Sequence, residues 1–214
     1  MNLTILGSGS MAHAIAARAL VGGHSVQVLS RDAEQSQALA DDLRSLAISS
    51  ETVAVGPLDE PLVGDLVVLA VPYPAAFLLV RRYSEELNDK IVVDITNPVN
   101  DSYDGLVTKA DTSAAEEIAK KLPSGAAIVK AFNTTFASTL AAGQVAGQPL
   151  DVFLAGDDSG AKQTVGELVE SGGLRALDTG PLSSARALEG FSLVHMTLQQ
   201  RLGTGFKSAI KIVS

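Results

Sequence analysis

A run of small residues, Gly7-Ser8-Gly9-Ser10-Met11-Ala12, follows directly on the apolar stretch NLTIL and leads straight into an alanine-rich segment. Strand, glycine turn and helix in that order make the G-x-G-x-x-A spacing a grip for the pyrophosphate of a dinucleotide. Gly7 permits the tight turn. Gly9 lets the backbone approach the phosphates, and Ala12 lets the helix pack close on the strand. Amides of Ser8, Ser10 and Met11, at the start of the helix, then face the anion. The competing reading is a glycine-rich turn that holds no ligand.

The end of the second apolar run, VQVL, decides which dinucleotide. A carboxylate there would serve the ribose hydroxyls of NAD and would repel a 2′-phosphate. The chain has Ser30-Arg31 instead, a hydroxyl and a guanidinium suited to a phosphate. NADP(H) is therefore expected. Asp32 competes for the ribose, but it also stands where a helix cap is needed, with Gln35 three residues on as a capping-box partner. A solvated surface charge is the alternative for Arg31.

Other residues with chemical potential lie at later strand exits. Val71-Pro72-Tyr73-Pro74 follows the fourth apolar run, and a proline there ends pairing and exposes loop backbone. Tyr73 offers a ring face to a bound ring, or packs on the helix that follows. Asn97 lies in the segment DITNP, and Asn133, Thr134 and Thr135 end VKAFNTT. His195 and Met196 fall in the last helical stretch, where His195 is the one candidate proton carrier, although a packed histidine is the plainer reading. His13 and His24 read as structural. Lys130, Arg186 and Lys207 are candidates to attract an anionic cofactor tail, with surface solvation as the alternative. Catalytic dyads and HExxH-type metal spacing are absent, and the sequence has no cysteine, so no metal site is expected.

These residues need a scaffold that brings strand ends together. Short Val/Ile/Leu runs at 3–6, 25–30, 52–55, 66–70, 91–95, 127–130, 152–155 and 174–177 read as strands. Helical stretches at 11–21, 33–46, 75–87, 113–122, 159–170 and 183–202 alternate with them. Uniformly apolar strands suit a sheet covered on both faces, hence a parallel one. The fold class is α/β: a doubly wound parallel-sheet Rossmann fold with a small C-terminal α/β extension. Right-handed crossovers place all strand exits on one edge. The turn-rich stretch 143–149 is the candidate seam. It divides an NADP-binding domain, 1–142, from a small substrate-side part, 143–214, whose tail at 206–213 reads as either a strand or a helix end.

The chain has 214 residues, 46% hydrophobic and 19% charged, which is the balance of a globular protein. A net charge of −8 argues against nucleic acid as a partner, and weakly against an anionic membrane surface. The longest apolar stretch is broken by Pro72 and Pro74 and is too short to span a bilayer. A cytoplasmic location is the simplest expectation. The long last helix suggests a homodimer.

With GSGSMA, SRD after the second strand, AVPYPA, DITNP, VKAFNTT, AGDD and DTGPLSSARALE in view, the chain resembles the NADPH:coenzyme F-420 oxidoreductase family along nearly its whole length. It also resembles the related nucleotide domain of the STEAP-type ferric reductases. The resemblance implies hydride transfer between NADPH and a small-molecule redox acceptor that is planar, such as a deazaflavin (coenzyme F-420) or a flavin. It implies Ser8, Ser30 and Arg31 at the 2′-phosphate, Val71 and Pro72 by the nicotinamide ribose, and Asn133, Thr134 and Thr135 on the acceptor side. The deazaflavin reductases tend to carry a basic residue where this chain has Gln35, and Phe132-Asn133-Thr134 is closer to the ferric-reductase relatives. Two other functions fit the turn. One is an NADP-dependent dehydrogenase or imine reductase of a small metabolite. The other is a non-catalytic NADP-sensing module.

Overall fold

In a computed structural model, which describes residues 1–45 and 52–213, six parallel strands form one sheet. They are β1 (Asn2–Leu6), β2 (Ser25–Ser30), β3 (Val53–Pro57), β4 (Leu66–Leu69), β5 (Ile91–Asp94) and β6 (Ala127–Lys130). Their order is β3-β2-β1-β4-β5-β6, and the register pairs Leu6 with Leu29 and with Leu69. The order reverses between β1 and β4, so the loops after those strands diverge and open a crevice at their carboxyl ends. Gly7 sits at that point.

Helices cover both faces, as the unbroken apolar strands require. They are α1 (Ser10–Val21), α2 (Ala33–Arg44), α3 (Tyr73–Arg82), α4 (Ala114–Ala119), α5 (Ala137–Ala142), α6 (Ser159–Ser171) and α7 (Ala185–Leu202). Alternate strand residues point to opposite faces. Leu3, Ile5, Val68 and Val93 pack with α1, α2, α5 and α6. Leu6, Val67, Leu69 and Val92 pack with α3, α4 and the start of α7.

The C-terminal part begins with a short hairpin, β7 (Gln144–Val145) with β8 (Gln148–Pro149), at the turn-rich stretch. A two-stranded parallel sheet follows, of β9 (Asp151–Leu154) and β10 (Arg175–Asp178). It is joined to β6 by a bridge in which Lys130 and Ala155 exchange both backbone bonds, at 2.8 and 3.1 Å. Val152 and Leu154 enter one core and Phe153 the other, so both cores run on into this part.

Several expected boundaries move. The third strand is Val53–Pro57, tolerating Pro57 because it lies on the sheet edge. The third helix begins at Tyr73, since Pro74 fits a first helical turn, and it stops at Arg82, short of residue 87. The fourth is only Ala114–Ala119, capped by Ser113, whose Oγ accepts from Glu116 N. The last begins after a single 3-10 turn at Leu182–Ser184. The short α5 is not foreseen, and residues 206–213 are neither strand nor helix. Residue 46, the expected end of the second helix, lies outside the described residues.

Candidate dinucleotide and acceptor site

The turn has the geometry its glycines predict. Gly7 has φ +120°, and a Cβ there would lie 2.3 Å from Ala70 O and 3.2 Å from Val71 Cγ1. Only glycine lets β1 pass so close to the exit of β4. Gly9 is the opposite case. It is the N-cap of α1, offers no side-chain cap, and a Cβ on it would meet nothing within 4 Å. The space in front of it is open to a ligand, and the first turn of α1 holds no acidic residue to compete for the helix N–H groups.

Ser8 reaches sideways from this turn to the end of β2. Its hydroxyl lies 2.8 Å from Ser30 Oγ and donates to Gln35 Oε1 at 2.7 Å. Asp32 caps α2, accepting from Gln35 N at 2.9 Å, as expected. The capping box is not closed, because the Gln35 side chain turns to Ser8 instead. Arg31 is exposed and makes no hydrogen bond or ion pair among the described residues. Two hydroxyls, an amide and an uncommitted guanidinium thus stand together at the β2 exit, and no carboxylate side chain takes part in the Ser8–Ser30–Gln35 contacts.

Beyond the turn a cleft of about 1060 Å³ opens. Ser10 and Met11 line its near end, so turn and cleft are continuous. Asn97 and Asn133 form one wall. Asn133 Nδ2 donates to Asn97 Oδ1 at 3.0 Å, and Asn97 Nδ2 donates back to Asn133 O at 2.8 Å. Thr135, Phe136, Ser138, Ser192, Met196 and Phe206 continue the lining. Phe136 packs edge-on against Phe206, with ring centroids 5.1 Å apart. Among the described lining residues the ionisable side chains are Tyr103 and Arg201.

Of the residues singled out in the sequence, Ser10, Met11, Asn97, Asn133, Thr135 and Met196 meet in this cleft. Others do not line it. Thr134 is buried. Tyr73 packs on Phe77 of its own helix and donates to Glu117 Oε2 at 2.6 Å. Burial first, then that carboxylate, holds its phenol proton well above the ordinary range. Val71 lies against Gly7, and Pro72 caps α3. His195 is buried behind Phe136, ring centroids 4.3 Å apart. Its Nδ1 faces Thr134 O at 3.2 Å, so Nδ1 carries the proton and Nε2 is left to accept from Ser208 Oγ at 2.9 Å. Burial lowers its pKa, against the pull of that carbonyl. His195 is a packed histidine, and its ring supports Phe136.

Two of the three candidate anion-attracting cations, Lys130 and Arg186, are paired with carboxylates and are neither free for an anion nor merely solvated. Lys130 is wholly buried: its Nζ donates to Asp94 at 2.9 Å, to Glu189 at 2.8 Å and to Thr96 O at 2.5 Å. Glu189 also accepts from Ala114 N at the start of α4. Burial pushes its carboxyl up, while Lys130 opposes that rise. Arg186 is engaged by Glu116 through two nitrogens. The basic side chain in the cleft is Arg201, which sequence reasoning missed because an arginine in a last helical turn reads as a dipole partner. Tyr103, Phe136 and Phe206 were missed too, since nothing local in the sequence folds their loops over one cavity.

The family model for NADP oxidoreductases that are coenzyme F420-dependent matches residues 2–98. The F420-dependent NADP reductase of Methanothermobacter thermautotrophicus is 28% identical over 215 residues, covering 94% of this chain and 91% of that one. The chain is a relative of the F420-dependent NADP reductases. A solved structure of a candidate F420-dependent NADP reductase from Arthrobacter sp. FB24 superposes with a TM-score of 0.83 at 29% identity, covering 99% of both chains. Rat metalloreductase STEAP3 is 33% identical over 189 residues, 88% of this chain but only 36% of its own length. The family match therefore falls on the half that carries the turn and the β2 exit, while the relatives extend over the cleft-forming C-terminal part.

Proposed function

We propose that the protein is an NADP(H)-dependent oxidoreductase that moves a hydride between NADPH and a planar acceptor of the deazaflavin type, coenzyme F420, with a flavin or ferric–flavin system as the other candidate acceptors. One observation carries this reading. Ser10 and Met11 belong both to the phosphate turn and to the cleft, so a dinucleotide gripped at Gly7–Ala12 extends its redox end into that cavity. The residues fit the cofactor: open space at Gly9 for the pyrophosphate, and Ser8, Ser30 and Arg31 for the 2′-phosphate. Bound NADPH supplies the hydride. The chain supplies position and shelter: Met11, Phe136, Met196 and Phe206 give apolar surface for a stacked ring, and Asn97 and Asn133 fix one wall.

Among the described residues, the cleft lining includes no histidine, lysine or carboxylate. Oxidation of an alcohol needs such a base, whereas transfer between two rings does not. Arg201, exposed and part of the lining, suits an acceptor with an anionic tail. On this reading residues 1–142 hold NADP and residues 143–214 complete the acceptor side. The exposed apolar side chains of α7 (Phe191, Val194, Leu198 and Leu202) recur every three or four residues and suit a second copy of the chain.

NADPH oxidation, followed by absorbance with F420, FMN, FAD, ferric chelate and a carbonyl and imine panel, tests the proposal. Turnover fastest with F420 is expected. Turnover only with carbonyls or imines would move the protein to another reductase class, and tight NADPH binding without any turnover would make it a sensing module.

A further inference from the structure

Asn133 carries an acceptor with nothing to accept. Three buried side-chain polar atoms among the described residues lack a partner: Arg18 Nε, Thr96 Oγ1 and Asn133 Oδ1. Of these residues only Asn133 lines the cleft. The residue is 3% exposed, so solvent does not routinely serve this oxygen.

Its orientation is settled by its neighbours. Leu188 O lies 3.2 Å from Asn133 Nδ2, and a carbonyl can only accept, so the amide nitrogen must point there. The same nitrogen donates to Asn97 Oδ1, which in turn fixes the Asn97 amide so that its nitrogen donates to Asn133 O. Ser192 Oγ also donates to Asn133 O, at 2.8 Å. Both hydrogens of Nδ2 are therefore used, and the oxygen is the part of the amide left over. The side chain is braced from β5 by the loop carrying Asn97 and from α7 by Leu188.

We infer that Asn133 Oδ1 is a specificity-determining acceptor for an N–H group on a ring bound in the cleft. This rests on the reading of the cleft as the meeting place of nicotinamide and acceptor. Two sources present such a donor: the carboxamide of the nicotinamide and the imide N–H of a flavin-like ring. The carboxamide is favoured, because Asn133 stands in the cavity whose near end is formed by the phosphate turn itself.

The test replaces the donor by a methyl group. Wild-type protein should bind NADPH about tenfold or more tightly than the reduced 3-acetylpyridine analogue, in which the carboxamide nitrogen is a methyl, because the analogue leaves the buried oxygen unpaired. In Asn133→Ala the ratio should collapse towards one. 2′-Phospho-ADP-ribose, which has no nicotinamide, should bind wild type and variant alike, showing that fold and turn are intact. If the imide is the source, the dinucleotide ratio stays near one while the KM for an N3-methylated deazaflavin or flavin rises about tenfold in the wild type only. Equal handling of both methylated analogues by the wild type overturns the inference whatever the variant does. Failure of the wild type to bind 2′-phospho-ADP-ribose instead removes the dinucleotide reading on which the inference rests.

Discussion

Gly7 and Gly9 look alike in sequence and do different work. A methyl on Gly7 collides with the Ala70 carbonyl in a backbone conformation that favours glycine, so Gly7→Ala should lower stability by about 1–3 kcal/mol. Gly9→Ala meets no protein atom, so its melting temperature should stay at the wild-type value while NADPH affinity falls by an order of magnitude or more. Thermal melts beside calorimetric titrations separate the two. Arg31 supports the 2′-phosphate assignment in the same way. Arg31→Ala should weaken NADPH binding about ten- to a hundredfold, the size of a charge-assisted contact, and leave NADH binding unchanged. An equal loss for both dinucleotides would show that the guanidinium does not read the extra phosphate. Lys130 was legible as a cation but not as a core residue, because its partners Asp94 and Glu189 come from far along the chain. Lys130→Met should cost about 3–5 kcal/mol in chemical denaturation by stranding two buried carboxylates.

At the level of elements, continuous apolar runs and amphipathic stretches revealed the strands, the parallel sense of the sheet and most of the helices. What it could not show is where chain segments distant in sequence meet. The coil at 206–213 depends on such meetings. Asp151 at the start of β9 is the anchor of that last coil. Arg175 and Lys211 both contact its carboxylate, and Ile212 N donates to it at 2.8 Å. Burial would raise its pKa, but the Arg175 guanidinium, the Ile212 amide and the Lys211 ammonium overrule it and hold it down to about 2. The value lies below the ordinary 3.8, so this clamp contributes fully above roughly pH 4 and is lost as pH falls towards 2. Hydrogen exchange at residues 206–213 should rise across that interval before the sheet opens. Asp151→Asn should bring the same rise at neutral pH.

For the whole molecule, the turn and the fold class could be read from the sequence because each is local, whereas the cleft could not, because it is assembled from five stretches of chain. Its far wall is α7, whose outer side carries Phe191, Val194, Leu198 and Leu202, each at least 38% exposed. If these side chains seat a second copy, Leu198→Glu together with Val194→Glu should halve the mass measured by light scattering. The same helix turns Ser192 and Met196 towards the cavity and Glu189 towards Lys130. If that contact forms, a helix with one side in the cleft and the other against the second copy cannot shift on one side alone. Protein concentration and acceptor affinity should therefore be linked, with dilution that separates the copies also loosening the grip on the ring.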